Sequence, residues 1–73
     1  MERFFMRRAS AVILLLDRRR MWLKQIEATP SGDVEAEMRE IESIDRLVLD
    51  VRAGRVRTFE LARPKAITVH VTD

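Results

Sequence analysis

An uninterrupted apolar hexad, "AVILLL" at 11–16, is closed directly by "DRRR" at 17–20. Six consecutive apolar side chains demand burial, because such a run left on an exposed edge is an aggregation site. The run is far short of the roughly 20 apolar residues that a membrane-spanning helix needs. Arg3, Arg7 and Arg8 precede it as they would in a secretory leader, but charge follows where a small-residue cleavage site would stand. The hexad therefore reads as a buried strand of a cytoplasmic protein, paired on both sides.

The remaining elements follow from punctuation and period. "DRRR" reads as a polar turn and Met21–Ala28 as a second strand, with Trp22, Lys24 and Ile26 on one face. "TPSGD" at 29–33 is the clearest break. Ser31 or Asp33 is placed to cap a helix, and Glu35 and Glu37 sit where the positive end of a helix dipole favours acids. Val34, Met38, Ile41 and Ile44 keep helical spacing, which predicts a helix over about 33–44. Residues 46–52 fit two states. Leu47, Val48 and Val51 continue the helical stripe to Gly54 as a C′ residue, or Leu47, Leu49 and Val51 form one face of a strand. The strand is favoured, with "RAGR" as a hairpin turn into Val56–Leu61, and Ala66–Thr72 as the last strand. The expected fold class is α+β, in the order ββαβββ: a small five-stranded curved sheet or barrel with one inserted helix, in a single domain over 1–73.

With 73 residues and no cysteine, the chain can build only a small core and has no disulfide or thiolate metal site to staple it. Self-association or a partner is the remaining route to more buried area, and a homodimer is the expectation. The net charge is only +2, but it is segregated. Residues 1–24 carry seven Arg and Lys against Glu2 and Asp17, and residues 25–45 carry seven acids against Arg39. Residues 46–73 are basic again, with six Arg and Lys against three acids. Two basic segments flanking an acidic one suit either a polyanion site or mutual neutralisation within the chain.

Chemistry beyond charge is sparse. One histidine, His70, and no cysteine leave no zinc set, and the acids of 27–45 lack a calcium-loop pattern. None of the serines and threonines sits in a nucleophile elbow, and two glycines cannot make a phosphate-cradling loop. No enzyme, metal or cofactor is expected. Phe59 reads as core, and Trp22 as core or dimer contact.

The segment "GRVRTFELARPKAITVHV" resembles the second half of the carbon storage regulator family, small RNA-binding dimers. Val56 and Arg57 match its "V-R" strand, Ala62, Pro64 and Lys65 its Ala-Pro-Lys corner, and Ile67, Val69 and His70 its strand ending in "V-H". "ILLLDRR" at 13–19 is similar to its opening strand and paired arginines, and "DVEAEMREIESI" to a helix that some members insert. Val71 stands where the family usually has an arginine, and Phe59 where it has a glycine. "LVLDVRAGRVRTFELARPKAI" also resembles the last three strands of Sm-like barrels. The resemblance implies a regulator that binds single-stranded message near a translation start and blocks ribosome access. It places Arg18, Arg19, Lys65 and His70 at the RNA surface, with Arg57 nearby.

Two function classes follow. The first is a nucleic-acid-binding, post-transcriptional regulator using Arg18, Arg19, Arg57, Lys65 and His70. The second is a protein-interaction module, such as an accessory or phage-encoded regulator of the transcription machinery, using the acidic helix (Glu35, Glu37, Glu40, Glu42). The position of that helix relative to the arginines discriminates between them.

Overall fold

A computed structural model of the chain describes residues 2–73. The order is β1 (Glu2–Met6), α1 (Arg8–Glu27), α2 (Glu35–Arg52), β2 (Thr58–Leu61) and β3 (Ile67–Val71). The three strands form one open sheet in the order β1-β3-β2. β1 runs parallel to β3, with Phe4 level with Val69, and β2 runs antiparallel to it, with Phe59 opposite Val69. The fold is thus α+β with two helices and a three-stranded mixed sheet, which corrects the expected five-stranded barrel with one helix.

The hexad lies inside α1, not in a strand, and Met21–Ala28, expected as a second strand, falls mostly in the same helix. Local propensity explains the outcome. Among the 20 residues of α1 only Val12, Ile13 and Ile26 are β-branched, and Ala, Leu, Met, Arg, Lys, Gln and Glu dominate the rest. As a helix the apolar run faces several ways: Ala11, Val12 and Leu15 are buried, Leu14 is half-buried, and Ile13 and Leu16 are exposed.

α2 begins at Glu35 rather than 33 and runs through 46–52, so the continuing stripe of Leu47, Val48 and Val51 was the correct alternative and the strand was not. Val34 stands at the N-cap with no side-chain cap, so neither Ser31 nor Asp33 performs that role. "RAGR" is not a hairpin turn. It ends α2 in a Schellman motif, with Gly54 at φ +74°. The Gly54 N–H donates to the Val51 carbonyl at 3.1 Å and the Arg55 N–H to the Asp50 carbonyl at 2.9 Å. The last two strands are real, though shorter than expected. β1 was not expected as a strand.

α1 and α2 pack as an antiparallel hairpin over one face of the sheet. The core joins Ala11, Val12, Leu15 and Trp22 of α1 with Ile44, Val48 and Val51 of α2 and with Phe59, Leu61, Ile67 and Val69 of the sheet. β3 is central, and Ile67, Thr68 and Val69 are all buried. The 20-residue α1 is about 30 Å long while a five-residue strand spans about 17 Å, so the hairpin overreaches the sheet. The molecule measures 42 × 25 × 15 Å.

Candidate functional site

The five basic residues picked from the sequence do not converge. Arg18 and Lys65 do come together. Both line a groove of about 310 Å³ between α1 and β1, with Glu2, Phe4, Met6, Leu14 and Ile67. Arg18 Nη1 donates to the Arg63 carbonyl at 3.2 Å, and Lys65 Nζ pairs with Glu2 Oε1. The Lys65 ammonium, by hydrogen bond and by charge, holds the Glu2 carboxyl below its ordinary value. Arg19 points toward α2 and gives Nε to Asp45 Oδ1 at 2.7 Å. Arg57 is exposed before β2, and its carbonyl accepts the Val71 N–H. That contact places Arg57 beside the Val71 end of β3, whereas Lys65 precedes the Ile67 end.

His70 lies on the sheet face turned away from the helices. Register puts Arg3, Phe5, Thr58, Glu60, Thr68 and His70 on that face. The rings of Phe5 and His70 stack with centroids 4.7 Å apart and planes 18° apart. Thr58 Oγ1 is 3.3 Å from His70 Nδ1. A single patch joining Arg18, Arg19, Arg57, Lys65 and His70 is therefore absent from the fold. Among the described residues, no group of three or more His, Asp or Glu side chains is placed to hold a metal ion, and no helix is long and apolar enough to cross a membrane.

The acidic helix lies beside the basic one. Glu35 pairs with Arg39 at 3.2 Å within α2, Glu37 and Glu40 are half-buried, and Glu42 is exposed at the hairpin groove. The acid that reaches the arginines of α1 is Asp45, not one of the four glutamates.

A different feature dominates the surface. The Arg19–Asp45 pair marks a level at which the two helices stand side by side. Leu16 and Leu23 lie on α1 three residues before and four after Arg19, and Leu49 lies on α2 four after Asp45. Met38 stands two turns before Asp45, and Ile13 one turn before Leu16. Leu23, Ile26, Met38, Ile41 and Glu42 line a groove between the helices of about 330 Å³. Ile13, Leu16, Leu23, Met38 and Leu49 are 60, 39, 38, 54 and 61% exposed. They form a two-helix apolar face on the outer side of the hairpin. Once the hexad is read as helix, the spacings 13/16/23 and 38/49 announce this face; read as strand, they do not.

The fold and this face define a two-layer α+β domain, a helical hairpin on an open mixed sheet. A family model described as "Uncharacterized protein BTH_I2711-like" matches residues 2–71, and the chain belongs to that family. Comparison with curated proteins and with solved structures finds no match.

Proposed function

We propose that the chain is a non-catalytic protein-interaction module that works as a homodimer, two hairpins stacking outer face on outer face. The observation that carries this reading is the row of five large, exposed apolar side chains across α1 and α2. Large apolar side chains left exposed on one side of a small domain, here set around the Arg19–Asp45 pair, mark interaction sites.

Charge and register favour a second copy as the occupant. α1 holds five cations against two acids, a net +3, and α2 holds six acids against three cations, a net −3. A two-fold axis parallel to the helices lays α1 over the partner's α2, opposite in charge and antiparallel in direction. The same axis preserves height along the hairpin. Leu16 then meets the partner's Leu49 and Leu23 meets the partner's Met38, in an antiparallel four-helix bundle. The perpendicular axis sets α1 on the partner's α1, +3 against +3. The accessible surface, 5175 Å², also exceeds the roughly 4,700 Å² typical of a monomer of 8.6 kDa.

Sedimentation equilibrium tests the reading. The wild-type chain is expected at twice 8.6 kDa, and the double variant Leu16→Glu, Leu49→Glu at the single mass with its helical circular dichroism intact. A wild-type chain that stays monomeric up to about 0.1 mM overturns the reading. The cysteine-free sequence permits a second measurement. A mixture of Leu16→Cys and Leu49→Cys chains is expected to give a mixed disulfide, with neither chain linking efficiently to itself.

A further inference from the structure

The groove between α1 and β1 lies on the opposite side of α1 from the stacking face. Its walls are apolar: Phe4 and Met6 from β1, Leu14 from α1 and Ile67 from β3. β1 is an edge strand, and Phe4 remains 39% exposed on the side that faces the helices. The hairpin therefore leaves the edge of the sandwich open instead of closing the core over it. Arg18 and Lys65 stand at this groove with a single acid, Glu2.

These two cations have donor capacity in hand. Arg18 spends Nη1 on the Arg63 carbonyl, and a guanidinium carries five N–H donors. Lys65 already receives a carboxylate, that of Glu2, so an acid group at the groove is a geometry the fold accepts. Five of the seven lining side chains are apolar or cationic without an opposing acid of their own, and the volume, about 310 Å³, stands at the small end of ligand sites.

We propose that this groove binds a medium-chain monocarboxylate, an amphiphile with one acid head and one alkyl tail. The tail lies against Phe4, Met6, Leu14 and Ile67. The head meets the free N–H groups of Arg18, with the Lys65 ammonium beside it. Glu2 acts as an internal competitor, because its carboxylate occupies the cation that the ligand's head would share. This site is independent of the dimer reading, since none of its lining residues lies on the stacking face.

The test is an amide-resolved NMR titration of the full chain with octanoate, with octanol and octylamine as head-group controls. Octanoate is expected to shift amides of β1, of α1 near Leu14–Arg18 and of Ile67, with the two controls binding at least tenfold more weakly. Lys65→Ala is expected to weaken octanoate about tenfold, the usual weight of one charge-assisted contact, while Glu2→Gln tightens it severalfold. A structural role for the Glu2–Lys65 pair alone predicts no such opposed signs. Equal affinity for octanol and octanoate, an unchanged affinity in Lys65→Ala, or no shift up to about 1 mM octanoate overturns the proposal.

Discussion

The backbone N–H of Arg8 donates to the carboxylate of Asp73 at 2.5 Å, joining residues 65 apart. Arg8 is the first residue of α1, and the N-cap position, Arg7, offers no side-chain cap. No acid stands in the first turn of the helix either. Asp73 therefore supplies from β3's side both the acceptor and the negative charge that a local Ser or Asp gives other helices. Asp73→Ala is expected to cost about 1 kcal/mol of unfolding free energy, the usual worth of a cap, and Asp73→Asn clearly less. Urea denaturation of the three chains checks the order.

Leu15 and Ile13 separate the helix from the strand. On a strand these two residues share a face, whereas on α1 they lie on different sides, Leu15 fully buried and Ile13 60% exposed. Leu15→Ala is expected to cost about 2–5 kcal/mol through lost burial and a cavity. Ile13→Ala, measured in the monomeric Leu16→Glu, Leu49→Glu background, is expected to stay within about 0.5 kcal/mol. Comparable losses at both positions would favour the strand.

That pair also shows why the sequence was misleading. Length and β-branching distinguish a buried strand from a buried helix, and period alone does not. "AVILLL" has strand length only if "DRRR" ends it, and "DRRR" is helical: Arg19 crosses to Asp45 and Arg20 pairs with Asp17 one turn back. Read onward, the leucines, arginines, Met21 and Lys24 make one long helix by propensity. The "TPSG" break, the acidic start of α2, Phe59 in the core and the β-branched last strand were legible, because each rests on a local rule. β1 was not, because "ERFFM" carries no period of its own and is ordered by pairing with β3 65 residues away. The basic residues were not brought together for the same reason, since the expected convergence presumed strands that gather the arginines. His70 remained on a sheet, but with Phe5 instead of the arginines as its neighbour.

Glu2 gives stability a dependence on acid. Its carboxyl is held below the ordinary value of 4.5 by the hydrogen bond from Lys65 and that ammonium's charge. A carboxyl with a lowered folded-state pKa binds its proton more readily in the unfolded chain. Its contribution is then complete above 4.5 and is lost as pH falls through the lower, folded value. The stability difference between wild type and Glu2→Gln is expected to be constant near neutrality and to shrink as the pH falls below 4.5. Salt is expected to reduce it, because both side chains are open to water. Thermal unfolding of both chains from neutral to acid pH, at low and high salt, measures it. A difference that grows on acidification would show the opposite sign of shift.

Phe5 makes its main visible contact with His70. It is 71% exposed, so little of its area leaves water, and what holds its ring is the parallel neighbour across the β1–β3 pair. An offset stack of this kind contributes about 0.5–1.5 kcal/mol beyond area. Phe5→Leu keeps a large apolar side chain on the strand but removes the ring. It is expected to lower unfolding free energy by about 1 kcal/mol or less, and to move the His70 ring-proton resonances downfield as the ring current disappears. Thr58→Val, which removes the hydroxyl 3.3 Å from His70 Nδ1, is expected to leave the ring current in place. If Phe5→Leu leaves the His70 resonances where they were, the two rings do not stack, and the outer face of β1 contributes no ring contact to its pairing with β3.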